Sequence, residues 1–572
     1  MHVMRKLLGA AMGVVAFCAG AATPASAAAS TVEPTLVLLH GKVWTEDPAH
    51  PEAQAVALGG SRILAVGSDA AISRLVTHGT RVIDLKGRRV VPGFNDSHVH
   101  FLQGGMALTS VQLGDANSPG ELRARVADYA RKLPKGAWIT DGNWDHQRWT
   151  PAELPTHALI DEVTPDNPVL VWRLDGHMAL ANALAMKLAG IDRNTADVAG
   201  GEIVRDANGD PTGILKDAAT GLVQRVMPPP SEAQQDRAMD AALSEAGRHG
   251  VTSVQDMVDS TVDTDGPRRM ALFERFHRAG RLTVRLYASA PLQRWQDLAE
   301  LGIQAGFGDP MFRIGNLKSF ADGALGSATA LMKDPYANRP DYRGIATGDL
   351  LDPRHMHDDL VGAAKAGLQV SIHAIGDRAN HDVLDLIEQA EKAVPGGRNR
   401  FRIEHAQHLD PADIARFGQL GVAASMQPYH AIDDGRWAEQ LIGHERARSS
   451  YAWRTLLDTG ATLAFGSDWP VAPLDPILGI YAAVSRRTLD GAHPDGWIPE
   501  QRISVAEAVH AYTMGSAAAE HMDDEKGSLV AGKLADLVVL SADIFTVPAE
   551  QIRQTRVDLT ICDGNVVYDA SR

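Results

Sequence analysis

Eight short apolar segments, each of the kind that forms a buried strand, recur along this chain with helical patterns between them. They lie at residues 90–96, 251–257, 282–289, 313–322, 368–374, 401–407, 421–427 and 461–468. Near-continuous apolar strands that alternate with amphipathic helices, such as those over 378–394 and 445–459, are typical of a parallel sheet with helices on its faces. The pattern predicts an α/β fold, a (β/α)8 barrel of the TIM type.

Three regions fall outside this repeat. The interval between the first two strand segments is too long for one loop and helix, so residues 110–245 are predicted to form an inserted subdomain with a hairpin turn at Asn208-Gly209. Residues 36–89 and 527–570 are short strands with Gly or Asp turns. Neither part has enough strands to be stable alone. They are therefore predicted to form one composite β-sandwich from both termini, beside a barrel that spans 90–520.

The first 27 residues have the three parts of a secretory signal peptide. Arg5 and Lys6 precede an apolar stretch over 7–22, and Ala25 and Ala27 follow in A-x-A spacing. We expect cleavage near Ala27 and a periplasmic or secreted protein. No membrane span is expected after cleavage.

Charge and cysteine content limit the partners of the mature protein. A net charge of −16 without clustered Lys or Arg argues against nucleic acid and anionic membranes. Cys562 remains as the one cysteine after cleavage, so no internal disulfide can form, and its apolar surroundings predict a buried residue. The expected partner is a small molecule, with a homo-oligomer left open.

Potential metal ligands stand at the ends of the predicted strands: His98, His100, Lys318, His373, His405 and Asp468. In a strand, residues two apart face the same side, so the first two imidazoles should share one space. A single histidine is more simply a structural residue. Imidazoles and a carboxylate that converge on the carboxyl end of a barrel instead predict one or two divalent transition-metal ions, with Zn²⁺ favoured.

Lys318 needs a separate interpretation, because an ammonium group would repel a metal ion. Burial and nearby cations favour the neutral amine, which can combine with CO2 to give a carbamate, an anionic ligand that can bridge two ions. We predict carboxylation. A cationic lysine that contacts substrate, or one that points outward, remains open.

Seven motifs in order resemble the metal-dependent amidohydrolase superfamily and, in detail, its amidohydrolase family 3 branch. They are PGFNDSHVH, VTSVQDM, LKSFADGALGSATA, SIHAIGDRAN, RIEHAQH, SMQPYH and FGSDWPV. The resemblance extends to the tail GSLVAGKLADLVVL. It implies that His98 and His100 bind one ion and that His373 and His405 bind another. Carboxylated Lys318 would bridge them, while Asp468 would both bind metal and transfer protons.

The resemblance also indicates substrate contacts. It includes DGH at 175–177, which makes His177 a candidate for the substrate carbonyl or its oxyanion, with a purely structural imidazole left open. Trp144 and His430 are further pocket candidates. Asp377 is more simply the N-cap of a helix than a catalytic group.

The function implied is hydrolysis of a C–N bond in an amide, an N-formyl compound or a cyclic amide. A metal-dependent hydrolase of esters, lactones or carbamates is the first alternative, and a non-catalytic periplasmic binding or regulatory protein the second. Asp468 argues against the second, because a binding protein needs no proton carrier. Ala472, where relatives have Glu, and Asp217, where they often have Glu, leave the substrate open.

Overall fold

The computed structural model describes residues 32–258, 266–395 and 401–572. The predicted signal peptide, at 1–27, lies outside these residues. Within the described ranges, no helix has the length and apolar character needed to cross a membrane.

In the described part of the chain, eight parallel strands form the barrel that the alternation predicts. In chain order they are Phe94–Val99, Val251–Asp256, Arg285–Pro291, Phe312–Phe320, Gln369–Ala374, Arg402–His405, Ala423–Met426 and Leu463–Phe465. Each strand pairs with the next one in the chain. Backbone bonds then join the two ends of the sheet, since Asp468 N–H donates to His98 O at 2.7 Å and His100 N–H donates to Trp469 O at 2.9 Å. The closure places the polar ends of the first and eighth strands side by side.

Helices connect these strands and bury apolar faces against the sheet. They are Phe101–Leu108, Glu232–Arg248, Gly266–Arg278, Trp295–Glu300, Pro353–Lys365, Asp377–Ala393, Pro411–Leu420, Trp453–Asp458 and Pro476–Ser485. The first two pack against each other, and a side chain at Gly105 would overlap the carbonyl of Ala238. The predicted segment 445–459 is divided between His444–Ala447 and Trp453–Asp458.

Asp377 is not an N-cap, which corrects the sequence interpretation. The helix begins at Asp377, and Gly376 occupies the capping position. The Asp377 carboxylate instead accepts the backbone N–H of Lys333 at 2.7 Å. It therefore anchors a loop to the first turn of the helix.

Strands from both termini form the predicted composite domain. A four-stranded sheet contains Leu36–Leu39, Ala55–Gly59, Arg62–Gly67 and Arg81–Asp84, and a six-stranded sheet contains Lys42–Trp44, Glu52–Ala53, Arg89–Pro92, Leu537–Leu540, Val557–Cys562 and Asn565–Asp569. Apolar residues of both sheets share one core, and Cys562 is buried as expected.

The first barrel strand begins later than predicted. Residues 90–92 belong to the strand Arg89–Pro92, which pairs antiparallel with Leu537–Leu540. The chain then passes into the barrel at Gly93, where a side chain would overlap Thr252. Apolar content alone could not distinguish these two successive buried strands.

The inserted subdomain has a sheet and a core of its own. Its strands are Ile139–Trp144, Val169–Arg173, Met178–Ala181, Gly201–Arg205 and Pro211–Asp217. The last two form the predicted hairpin, with Gly209 at φ 85°. The sheet ends at Asp217, and the predicted boundary at residue 245 falls inside a helix that packs on the barrel.

His249, directly after the helix Glu232–Arg248, predicts a pH dependence of stability. Its Nε2 lies 3.2 Å from Glu245 and its Nδ1 lies 3.4 Å from Asp475. Burial opposes the charged form, but hydrogen bonds to Asp475 and Glu245 raise the pKa of His249 to about 9. The stabilisation is complete below the unfolded pKa of about 6.5 and is lost as pH rises through 9. In urea denaturation, the free energy of unfolding should fall less over this range in His249→Gln than in the wild type. An identical fall in both proteins would contradict this assignment.

Candidate metal centre

The first barrel strand brings two imidazoles to one carboxylate. His98 is the fully buried penultimate residue of the strand, and His100 lies just beyond the strand's end. Their Nε2 atoms lie 3.3 Å and 3.2 Å from Oδ1 of Asp468, which follows the eighth strand. The three side chains form one of two groups able to hold a metal ion within the described residues.

The fifth and sixth strands contribute the other two histidines of the cluster. The rings of His373 and His405 have centroids 4.6 Å apart, and the His405 ring lies 4.8 Å from that of His98. His405, His430 and Asp468 form the second group able to hold a metal ion. The structure therefore brings together the four histidines and the aspartate that the sequence placed on four separate strands.

In each of the four imidazoles, one ring nitrogen forms a hydrogen bond to an oxygen that acts as the acceptor. The bonds run from His98 Nδ1 to Glu404 Oε2 (2.6 Å), from His100 Nδ1 to Met257 O (3.1 Å), from His373 Nε2 to Gly323 O (3.1 Å) and from His405 Nδ1 to Gln427 Oε1 (2.8 Å). A donor nitrogen on one side of a neutral ring leaves a lone pair on the other. The tautomers thus leave four lone pairs available to the cluster.

Burial favours the neutral form of His98, His373 and His405, and positive charge in the cluster favours the ionised form of Asp468. Burial, followed by the charge of Lys318, lowers the pKa of His98 to about 4, and burial holds the pKa of His373 and His405 well below the usual range. Burial opposes ionisation of Asp468, but positive charge within the ring of histidines, and the close contact with His100, lower its pKa well below the usual range.

This arrangement fits a bound cation. The lone pairs of His98 and His100 face Oδ1 of Asp468, which has no hydrogen-bond partner among the described residues. Electron pairs that meet in a buried space need a cation between them, and a carboxylate with imidazoles is a ligand set suited to zinc. Asp468 and His405 also have backbone φ of 60° and 72°, strained values of the kind found at functional sites.

Lys318 points into the cluster. Its side chain is buried on the fourth strand, with Nζ 3.4 Å from Nε2 of His98 and 4.8 Å from the centre of the Phe320 ring. This excludes the alternative of an outward lysine. The position suits a carbamate, whose formation stays a prediction.

His177 reaches the cluster from the inserted subdomain. Its ring lies 5.2 Å from that of His373, and its Nδ1 lies 2.7 Å from Oδ1 of Asp217. Burial opposes protonation, but the hydrogen bond and charge of Asp217 raise the pKa of His177. The insert therefore places a polar group directly beside the barrel histidines.

The two remaining pocket candidates have different positions. His430, on the helix Pro428–Asp434, stacks on His405 at 6.4 Å, with Nε2 3.9 Å from Asp468 Oδ2. Trp144 is fully buried in the core of the insert, and its indole N–H donates to Val171 O at 2.8 Å. Trp144 has no exposed surface for a substrate, so its assignment is corrected to that of a core residue.

Sequence reasoning missed the residues that orient the ligands. Glu404 is fully buried and accepts a hydrogen bond from Nδ1 of His98. It also pairs with Arg402, whose Nε donates to Oε1 at 2.7 Å. Burial opposes ionisation of Glu404, but the Arg402 charge holds its pKa well below the usual range. The motif RIEHAQH contained a signal: two opposite charges, two residues apart in a buried strand, face the same side and can pair.

Glu404→Gln should weaken metal binding about 10- to 100-fold, the usual cost of removing a partner that orients a metal ligand. Glutamine keeps the shape but removes the charge that fixes the His98 tautomer. Metal affinity should be measured on folded protein by chelator competition, because Arg402 also loses its partner and stability will fall. Glu274→Gln, at a partly exposed glutamate paired with Arg278, is the control. Unchanged affinity in Glu404→Gln would contradict the orienting role.

A cavity of about 300 Å³ lies between the barrel and the insert. Its walls include Trp469, next to Asp468, and Tyr429, next to His430. Leu108, Leu174 and Arg148 also line it. Three carboxylates, those of Asp115, Asp145 and Asp433, line it as well, so the cavity combines apolar walls with charged groups of both signs.

The barrel and this cluster define a metal-dependent hydrolase. Residues 81–568 match the amidohydrolase family, and the chain belongs to that family. It is 39% identical over 514 residues to Protein LONG AFTER FAR-RED 3 of Arabidopsis thaliana, with 89% of this chain and 87% of that protein covered. It is 28% identical to N-substituted formamide deformylase of Arthrobacter pascens, with 93% and 98% covered.

A solved structure supports the same assignment. An uncharacterized metal-dependent hydrolase from Pyrococcus horikoshii is similar over 90% of this chain and 99% of its own, with a TM-score of 0.73 and 26% identity.

Proposed function

We propose that the protein is an exported hydrolase that cleaves the C–N bond of an amide, an N-formyl compound or a cyclic amide. The observation that carries the proposal is the buried cluster in which His98, His100 and His405 lie within 4.0 Å of Asp468 and His373 lies beside His405. Family membership and the similarity to a deformylase support the same reaction class. The signal-peptide pattern supports export to the periplasm or beyond.

The donor set fits two divalent ions better than one, with zinc as the preferred metal. His98 and His100 would hold one ion and His373 with His405 the other. Carboxylated Lys318 would lie between them, and Asp468 would complete the set. When bound, such ions lower the pKa of a water molecule and polarise the substrate carbonyl.

Asp468 is the proposed proton carrier. Its carboxylate is charged at neutral pH, and Oδ1 lies 3.3 Å and 3.2 Å from the Nε2 atoms of His98 and His100. It can accept a proton from the attacking water and return it to the leaving nitrogen. The second transfer matters most for amides, because an amide anion is a poor leaving group.

His177 is the proposed contact for the carbonyl oxygen. Its Nδ1–H donates to Asp217. Burial opposes protonation, but this bond and the charge of Asp217 raise the pKa of His177 and so favour the protonated ring, in which Nε2–H can donate to the substrate. A hydrogen bond aimed at the oxygen where negative charge develops stabilises the transition state. The cavity beside Trp469 and Tyr429 would receive the substituent of the substrate, with His430 at its border.

The experiment combines metal removal with a substrate panel. Protein stripped by a chelator and reloaded with Zn²⁺ or Mn²⁺ should be tested on N-formyl amines, N-acyl amines and cyclic amides. Matched esters and lactones should be run in parallel. We expect the loaded enzyme to release amine and carboxylate in equal amounts from the acyclic amides, or one ring-opened product with both groups from a cyclic amide, with activity lost after stripping and regained on reloading. Turnover of the esters or lactones with none of the amides would overturn the proposal.

A further inference from the structure

Asp217 lies opposite His177 at the end of the inserted sheet that reaches the metal cluster. The strands Met178–Ala181 and Pro211–Asp217 are antiparallel, with Met178 opposite Lys216. Two hydrogen bonds join the next pair of residues along these strands, His177 and Asp217. The backbone N–H of Asp217 donates to His177 O at 2.9 Å, and its carboxylate accepts from His177 Nδ1 at 2.7 Å.

The backbone of Asp217 indicates that its side chain is needed. Its φ of 45° and ψ of −124° form a conformation that glycine adopts easily and other residues adopt with strain. Oδ2 is buried and has no hydrogen-bond partner in the described part of the chain. Strain and an unsatisfied oxygen both reduce stability, so stability does not explain an aspartate here.

The carboxylate also packs on the barrel loop that orients a cluster histidine. A Cβ added to Gly323 would lie 3.1 Å from Asp217 Oδ1, and the Gly323 carbonyl accepts the Nε2 proton of His373. Asp217 thus occupies the point where the insert meets the loop behind His373.

We propose that Asp217 is a positioning residue, which holds the His177 ring by its Nδ1–H and so directs Nε2–H at the substrate carbonyl. A carboxylate only accepts hydrogen bonds, so it fixes which nitrogen of His177 carries the proton toward it. The inference rests on the proposed role of His177 in the hydrolase.

The test compares Asp217→Gly, Asp217→Asn, His177→Gln and the Asp217→Gly/His177→Gln double variant. Glycine removes the side chain and relieves the strain, so its melting temperature and metal content should equal or exceed those of the wild type. We expect kcat to fall about 10-fold or more in Asp217→Gly and about 100-fold in His177→Gln. The double variant should be no worse than His177→Gln, because Asp217 acts through that ring. Asp217→Asn should fall between wild type and Asp217→Gly, since an amide accepts the bond without the charge.

Asp161→Asn is the matched control. Asp161 accepts from His157 Nδ1 at 2.6 Å within the same insert, in a pair that belongs to the helix Ala158–Asp161 rather than to the cluster. Its kcat should stay within twofold of the wild type. Undiminished kcat in Asp217→Gly, or additive losses in the double variant, would overturn the inference.

A spectroscopic measurement separates this inference from the proposed function. In ¹⁵N-histidine protein, the Nδ1 proton of His177, identified by its loss in His177→Gln, should disappear or shift upfield in Asp217→Gly. Its persistence would overturn the positioning role whatever the substrate is. If the wild type hydrolyses only esters, the proposed function fails and the kinetic comparison is made on the ester.

Discussion

Asp468→Asn should lower turnover by about 10²-fold or more while most of the metal is retained. Asparagine has nearly the same size and keeps one carbonyl oxygen as a ligand, but it cannot accept a proton. The loss should match the scale of general acid–base catalysis, about 10²- to 10⁴-fold. Steady-state kinetics on the best substrate and metal analysis of the same samples provide the measurement.

Asp377→Asn is the matched control for this variant. Asp377 is partly buried, also follows a barrel strand and accepts a backbone N–H. Its carboxylate anchors a loop and does not belong to the cluster. Its variant should lose some stability and keep its turnover. If Asp468→Asn retains activity within a few-fold of the wild type, Asp468 acts as a ligand and not as a proton carrier.

Lys318→Ala should lose metal together with nearly all activity if the lysine is carboxylated. The substitution removes a bridging anion and leaves a space of about its size beside His98. Formate or acetate with excess zinc should then restore part of the activity. Lys318→Arg stays cationic and cannot form the carbamate, so it should not respond.

A cationic Lys318 that binds substrate makes the opposite predictions. Lys318→Ala would keep its metal, show a raised KM and respond to small amines rather than carboxylates. Metal analysis of Lys318→Ala therefore decides between the two chemistries. Full occupancy by two ions would end the carbamate hypothesis.

The barrel could be predicted from sequence because its strands are buried on both faces and are uniformly apolar. The same regularity placed His98 and His100 on one side of a strand, as the structure confirms. The direction of Lys318 was not predictable. Strand alternation defines two faces, but without the register of neighbouring strands it does not say which one is interior.

Contacts between distant segments account for what was missed. Trp144 was grouped with pocket residues because it lies in the insert near a motif, yet its indole N–H is satisfied by the carbonyl of Val171 on the next strand of the insert. Glu404 orients His98 across 306 positions of sequence. Asp217 looked like a mere departure from a family pattern. Its pairing with His177 depends on a strand register that is visible only in three dimensions.

The pairing of Arg89–Pro92 with Leu537–Leu540 has a consequence for how the enzyme is made. A single residue, Gly93, separates Arg89–Pro92 from the barrel strand that carries His98. The antiparallel sheet partner of Arg89–Pro92, the strand Leu537–Leu540, is synthesised more than four hundred residues later. Domains generally fold as units during synthesis, but this sheet cannot close until its last strands have left the ribosome. An incomplete chain would therefore hold its first ligand strand without lasting support, and the metal cluster would form only when the C-terminal strands are available, which for an exported chain means after translocation.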